Sequence, residues 1–345
     1  MTHWRFPAEW EPQDAILLAW PHAGTDWAER LSDVEQTYVA LIAAISRFQK
    51  VLLCVADEAV AARARSLLAE ANVELAQLHL IAITYDDTWL RDSGPITLLD
   101  ALGSARFLDF HFTGWGGKFE ASADDALISG LAERGLLRAQ AVKRIDFALE
   151  GGAIETDGHG TLLSTWHCLA ERHGADARES VTQTLRQSLN QQRVLWLEHG
   201  YLEGDDTDAH IDTLARFAPD NTIVYQACDD VDDSHHGELA AMAAELAALR
   251  TATGEPYRLH PLPWPKPILD GGRRLAASYA NFLIINGAVL MPAYGDEADA
   301  TAAAVLAQAF PGREIVPVPC RALIWQNGSL HCVTMQLPKG AIFDV

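Results

Sequence analysis

Cysteine is scarce in this chain: five in 345 residues (Cys54, Cys168, Cys228, Cys320 and Cys332), an odd number at wide spacing with no C-x-x-C. That pattern argues against a disulfide framework or a zinc ribbon, so each thiol is read alone. Positive charge is also short, with 26 Lys and Arg against 47 Asp and Glu and a formal net charge of −21. Such a field repels phosphate backbones and anionic membrane surfaces and draws in cations. The expected partner is therefore a cationic small molecule, with no nucleic acid and no membrane. No apolar run approaches the ~18 residues of a membrane span. The opening MTHWRFPAEWEP lacks the basic start and apolar core of a signal peptide, which makes the cytoplasm the expected location. No Ser/Gly linker or low-complexity tract interrupts the chain, so residues 1–345 are expected to form a single domain, with the Pro-rich GEPYRLHPLPWPKP (254–267) as a loop. Two ligand motifs are missing as well. FTGWGGKF (112–119) lacks the spacing of a phosphate-binding loop and reads instead as a glycine-flexible loop presenting Trp115. The acidic run from Asp205 lacks the glycine and the terminal glutamate of a calcium loop.

What is present is a core-forming composition, 49% hydrophobic, arranged as short Val/Ile/Leu runs alternating with Ala-rich stretches of helical period. Strands are expected at VLLCVAD (51), LHLIAITY (78), RVLWL (193), NTIVYQA (221) and EIVPVP (314). Helices are expected at 33–48, 57–71, 123–134, 180–189, 234–249 and 297–310, several with Asp or Ser placed to cap the first turn. The class is α/β with mixed sheets. Polar residues set in apolar or glycine-rich surroundings recur at similar intervals: Asp92 to Glu150 is 58 positions, Glu150 to His210 is 60, and His210 to Cys332 is 122. This spacing suggests a repeated unit whose equivalent strand ends converge on one pocket.

Four stretches carry candidate chemistry. In LEGDDTDAHID (202–212), Asp206, Asp208, His210 and Asp212 alternate, so an extended segment would show all four on one face. A solvated acidic loop is the competing reading. In DDTWLRDSGP (86–95), Trp89 and Asp92 precede a Gly-Pro turn; an indole face beside a carboxylate receives a flat cation, or else packs as an ordinary surface turn. In FALEGGAIETDG (147–158), Glu150 precedes two glycines, where the backbone must approach something closely, and a buried Glu there implies a bound cation or a captured proton. In NGSLHCVTMQ (327–336), Cys332 sits in a strand-like run beside polar Thr334 and Gln336, too polar a face for core. A nucleophilic thiol needs a proton-transfer partner. His331, its neighbour, would point to the opposite face of a strand, so His210 is the better candidate. The other four cysteines read as core.

Together PAEWEP (7), LAWPH (18), TWLRDSGP (88), FTGWGGK (112), LEGGAIETDG (149), DTDAHID (206), NFLIINGAVLMPAYGD (281) and NGSLHCVTMQ (327) resemble the agmatine deiminase family, which belongs with the bacterial peptidyl-arginine deiminase type enzymes. The resemblance runs in order through nearly the whole chain. It implies a five-bladed α/β propeller of pseudo-fivefold repeats with the site on its axis. The implied reaction is hydrolysis of a guanidinium to a ureido group and ammonia, without metal or cofactor, and a homodimer is common among similar proteins. Carried over by motif, Cys332 is the nucleophile, His210 the general acid and base, and Glu150, Asp92 and Asp212 the carboxylates; Trp89 and Trp115 lie near the site. Asp206 is placed to meet a substrate's distal ammonium. The sequence departs from the family where Gln326-Asn327-Gly328-Ser329 replaces a glycine-rich run and where DTDAH replaces D-T-N-G-H, both in loops that shape the choice of guanidine. Agmatine is the expected substrate, with arginine or peptidyl-arginine as alternatives. Readings from other classes are a metal-dependent hydrolase using Asp206, Asp208, His210 and Asp212, and a polyamine- or guanidine-binding protein without turnover.

Overall fold

The computed structural model describes residues 4–342. Five sheets of three or four strands share one pattern, in which a strand pairs antiparallel with its successor and that strand pairs parallel, through a helical crossover, with the next. The first three sheets are built on Ile96–Asp100, Ala105–His111 and Val142–Ala148; on Glu155–Thr156, Thr161–Thr165 and Arg193–Leu197; and on Ala215–Ala218, Thr222–Gln226 and Arg258–Leu262. The fourth uses Leu283–Ile285, Ala288–Ala293 and Glu314–Pro319. In the fifth, the C-terminal strand Met335–Pro338 pairs antiparallel with Gln13–Ala19, which continues in parallel to Lys50–Val55 and Leu78–Ala82. A two-stranded ribbon, Leu269–Asp270 with Arg273–Arg274, stands apart from them.

The parallel strands are nearly continuous apolar runs because crossover helices cover them. Helix Leu31–Ser46 buries Val34, Tyr38, Leu41, Ile42 and Ile45, a stripe at helical spacing, and packs on Lys50–Val55 of the fifth sheet and Glu314–Pro319 of the fourth. Each such aliphatic side chain contributes roughly 1.5–3 kcal/mol on burial. The expected helices appear within a few residues of their positions, and Asp57 caps its helix by accepting from Val60 N at 2.8 Å. Two readings need correction. The helix expected over 123–134 divides at Ala126 into Ser122–Asp125 and Leu127–Glu133. Its first turn is clasped to the preceding loop: Asp86 Oδ2 accepts from Ala123 N and Asp124 N, while Asp124 accepts from Asp86 N and Asp87 N. The Pro-rich stretch is also more than a loop, since Arg258–Leu262 is a strand at a sheet edge, where Pro261 removes no needed ladder donor.

Candidate functional site

In every one of the five sheets, a polar residue stands just before the strand that opens the antiparallel pair. Asp92 lies on the turn Leu90–Ser93 ahead of Ile96–Asp100, and Glu150 lies ahead of Glu155–Thr156. His210 and Asp212 precede Ala215–Ala218, Asn281 precedes Leu283–Ile285, and Cys332 precedes Met335–Pro338. Equivalent points in five units thus deliver six side chains, and the structure brings them together, all buried.

The glycine pair after Glu150 locates the centre. A methyl group on Gly152 would sit 2.6 Å from His210 Nδ1, 2.7 Å from Asp92 Oδ1 and 3.2 Å from Asp212 Oδ2, so the bare backbone there is what lets three ionisable groups share one space. Gly152 N donates to Asp92 Oδ1 and Trp115 Nε1 donates to Asp92 Oδ2, each at 2.9 Å. The same Oδ1 is 3.6 Å from His210 Nδ1, and Glu150 Oε2 is 4.0 Å from His210 Nε2. Cys332 Sγ faces Asn281 Oδ1 at 3.4 Å and Asp212 Oδ2 at 3.7 Å. Among the described residues, Glu150 Oε2, both ring nitrogens of His210 and Asp212 Oδ1 are buried without a hydrogen-bond partner. Unsatisfied polar atoms are rare inside proteins, and four around one point mark a place built to receive a polar group.

Comparison with known proteins accounts for this constellation. The sequence profile of the Porphyromonas-type peptidyl-arginine deiminase family matches residues 5–338. The agmatine deiminase of Stutzerimonas stutzeri is 33% identical over 355 residues, covering 96% of this chain and 95% of that protein. The chain belongs to the agmatine deiminase family. Among solved structures, C. jejuni agmatine deiminase, as a Cys-to-Ser variant with substrate bound, matches at 35% identity and TM-score 0.89, covering 98% of this chain and 97% of that one. A Porphyromonas gingivalis chain provisionally named an arginine deiminase matches at 46% identity and TM-score 0.91, covering 99% and 100%.

Of the expected site residues, Trp89, Asp92, Trp115, Asp206 and Cys332 line one cavity of about 500 Å³, together with Asn327 and Gly328 among others; Glu150, His210 and Asp212 are buried outside its lining, His210 against Asp92 and Asp212 against Cys332. Among the described residues, seven carboxylates line the cavity and no arginine or lysine does. Trp89 packs so closely on Gly328 that a methyl group there would lie 2.1 Å from its ring, and Trp115 adopts a left-handed φ of 56° between glycines to reach Asp92. Asp206 accepts from Asn327 Nδ2 at 2.8 Å, and burial raises its carboxyl.

Several expectations are corrected. The segment from Asp206 to Asp212 is not extended: Asp208 and Ala209 both take left-handed φ (67° and 68°) and a 3-10 turn follows at Ile211–Thr213. Its four ionisable groups therefore disperse. Asp208 pairs with Arg172 and Lys118 at 2.6 and 2.7 Å, Asp206 turns to Asn327, and only His210 and Asp212 enter the centre, which removes the proposed four-residue metal set. Cys332 lies in a turn rather than in the strand, which begins at Met335. His331 consequently does not point away from it: His331 Nδ1 and Cys332 Sγ both approach the same oxygen, Asp212 Oδ2, at 2.8 and 3.7 Å. Cys168 is not simply core, because its sulfur lies within 4.8 Å of ligand atoms of Glu150 and His210. That trio has the spacing of a metal site, yet Arg172 Nε already holds Glu150 Oε1 at 2.7 Å, and a fixed guanidinium there opposes a second cation. Arg172 is also the built-in cation that answers the buried Glu150. Sequence reasoning missed Asn281, Arg172, Cys168 and His331.

The electrostatics follow from burial and crowding. Burial, with Asp212 and Asp92 nearby, pushes the Cys332 thiol well above its ordinary value, which favours the neutral S–H. Burial alone would lower His210, but Asp92, Cys168 and Glu150 raise it well above the ordinary imidazole range. Asp92 is pushed up to about 6 by burial and by Asp212 and Glu150, with His210 opposing. Burial raises Asp212 too, but the hydrogen bond and charge of His331, together with His210 and Arg216, hold the carboxyl below its usual range.

Proposed function

We propose that this chain hydrolyses agmatine to N-carbamoylputrescine and ammonia through a covalent amidino-cysteine. The observation that carries the reading is Cys332 Sγ set 3.7 Å from Asp212, at a cavity that seven carboxylates and, among the described residues, no arginine or lysine line. A guanidinium is a poor electrophile because its charge is delocalised. Asp92 and Asp212 accept paired N–H bonds from it, fix its plane and present its central carbon to the sulfur. Its positive charge offsets the two acids that hold the thiol protonated, so the S–H proton leaves to water and the thiolate forms only when substrate is present. Sulfur bonds to carbon; His210, already protonated, gives its proton to one amino group, and ammonia departs with the electron pair of the broken C–N bond. The imidazole then takes a proton from the water that attacks the same carbon, and as the C–S bond breaks the adduct's hydroxyl proton passes to sulfur, releasing the neutral ureido group and restoring the thiol. Glu150, fixed by Arg172, keeps His210 oriented and charged.

Agmatine is preferred over arginine because, among the described residues, no arginine or lysine lines the cavity to meet an α-carboxylate, whereas Asp206 and its acidic neighbours suit a distal ammonium. A five-bladed ring around the site, a single domain spanning the chain and a cytoplasmic location belong to the same proposal; the five like-patterned sheets support the ring. The test is ammonia release from agmatine, arginine and a blocked arginine peptide, on wild type and Cys332→Ala. Agmatine should be preferred, and the variant should be folded and inactive. Preference for arginine refutes the substrate, and turnover by the variant refutes the chemistry.

A further inference from the structure

His331 lies between two buried carboxylates. Its Nδ1 is 2.8 Å from Asp212 Oδ2 and its Nε2 is 2.8 Å from Glu9 Oε2, and all three residues are buried. A neutral imidazole donates from one nitrogen only, so serving two ionised carboxylates requires an N–H on each. Glu9 is ionised: burial opposes this, but His331, Arg216 and Arg91 hold its carboxyl far below the usual range. Glu9 accepts from Arg216 Nη2 at 2.9 Å, Arg216 Nε donates to Glu155 Oε2 at 2.8 Å, and Arg91 Nη2 stands 3.7 Å from Glu9. Three acidic residues (Glu9, Glu155 and Asp212) thus face two guanidinium groups; burial raises the Glu155 carboxyl and the charge and hydrogen bond of Arg216 oppose it. The effect on Asp212 is geometric as well as electrostatic. His331 occupies Oδ2, and Oδ1 is left without a partner in the buried site.

We propose that His331 is a positioning residue: as an imidazolium clamped between Asp212 and Glu9, it keeps Asp212 ionised and turned so that one oxygen is free for the guanidinium. It transfers no proton, because both of its nitrogens are occupied by carboxylates. The inference rests on Asp212 meeting the substrate as described above. Besides His331, the charged or titratable groups acting on Asp212 are His210, Cys332, Asp92, Arg216 and Arg91; Glu155 also acts on His331.

Without the imidazolium, Asp212 is a buried carboxylate beside Asp92, and it takes up a proton at higher pH. The acid limb of kcat/KM for agmatine in His331→Ala should move up by about one pH unit or more, the scale of an opposite charge in contact, with KM rising more than kcat falls. His331→Asn keeps an amide N–H near the Nδ1 position without the charge. It should recover part of the KM and leave the acid limb displaced. Side-chain ¹⁵N spectra of histidine-labelled wild type, with the His331 signal assigned by its loss in the Asn variant, should show both nitrogens protonated at the assay pH. An unmoved acid limb in a folded variant, or a singly protonated His331 ring, overturns the proposal. If neither variant folds, the signal that remains in wild type after the twelve other histidines are assigned decides it. Because the spectrum needs no substrate, it stands or falls independently of whether wild type turns over agmatine.

Discussion

Gly152→Ala adds one methyl group at the point where the site converges. Gly152 is absent from the positions with positive φ, so alanine is not excluded by the backbone and the consequence is local. The new Cβ would lie 2.6 Å from His210 Nδ1 and 2.7 Å from Asp92 Oδ1, closer than real side chains approach, and 3.2 Å from Asp212 Oδ2. None of these groups can yield freely: Asp92 is tied to Trp115, Asp212 to His331, and His210 is wholly buried. Displacing acid-base and guanidinium-binding groups by several tenths of an ångström up to 1 Å costs on the order of 10²-fold in kcat, about 2.7 kcal/mol of activation free energy. Overpacking a buried site costs roughly 1–3 kcal/mol of stability. At ~2.1 cal/mol/K per residue, the entropy of unfolding a chain this long is ~0.7 kcal/mol/K, so Tm should fall by only ~1–4 °C. The assay pairs steady-state ammonia release from agmatine with a thermal melt. Turnover within threefold of wild type at unchanged Tm would refute the convergence of Asp92, His210 and Asp212 on Gly152.

Asp92→Asn should abolish turnover without lowering Tm at pH 7.5. A carboxyl whose folded-state value is raised to about 6 is ionised at a cost to the folded protein. That cost grows as pH rises from about 4 to about 6 and amounts to about 3 kcal/mol above it, so removing the charge does not destabilise the protein at neutral pH. A clear drop in Tm, read from melts of both proteins at pH 7.5, would contradict this. Arg172→Met strips the cation from Glu150, which is 1% exposed. It should cost roughly 3–5 kcal/mol and about 4–7 °C of Tm. Adding Glu150→Gln should restore much of that stability but not the activity, as melts and ammonia release on the single and double variants would show. Alkylation of Cys332 by iodoacetamide in the free enzyme should be slow at pH 7 and rise steeply with pH, because its thiol lies well above the ordinary range. Rapid, pH-independent labelling followed by mass spectrometry would show that the thiolate exists before substrate arrives.

Much of the fold was legible because helical periodicity and apolar runs are local signals. The site was legible where it carried a chemically unusual residue in unusual surroundings, as with Asp92 after Trp89 or Glu150 before two glycines. The near-sixty interval held further information. Between His210 and Cys332 it implies a fourth position, and Asn281 falls 71 residues after His210 and 51 before Cys332, at the equivalent point of the fourth sheet. An asparagine opening NFLII has no charge to draw notice, and an interval of sixty from His210 points to residue 270, some ten positions short of it. The alternation in DTDAHID misled because its geometry turns on left-handed Asp208 and Ala209, and an alanine at φ 68° has no sequence signature. His331 was set aside on the premise of a strand, and the premise failed when the turn placed both His331 and Cys332 on Asp212. Arg172 and Cys168 sit on an ordinary helix, Trp166–His173, and acquire their roles only through what lies across from them.

The acidic balance of the chain takes on a mechanistic meaning at this site. Asp92 and Asp212 flank a thiol that burial already disfavours ionising, so without a cation beside it the nucleophile is suppressed. His210 gains positive charge from Asp92 and Glu150. The free enzyme therefore holds a protonated acid and a protonated thiol, a combination unreactive towards neutral electrophiles. A planar cation changes the thiol first, because it enters between the carboxylates and offsets the repulsion that kept sulfur neutral, while His210 keeps the proton needed by the leaving nitrogen. On this argument the negative side chains select the substrate and switch on the nucleophile in a single event. An uncharged urea analogue of agmatine should bind weakly and leave the Cys332 alkylation rate unchanged, whereas an unreactive amidinium that still admits the reagent should raise it at pH 7. Equal effects of the two would separate binding from activation and defeat the argument.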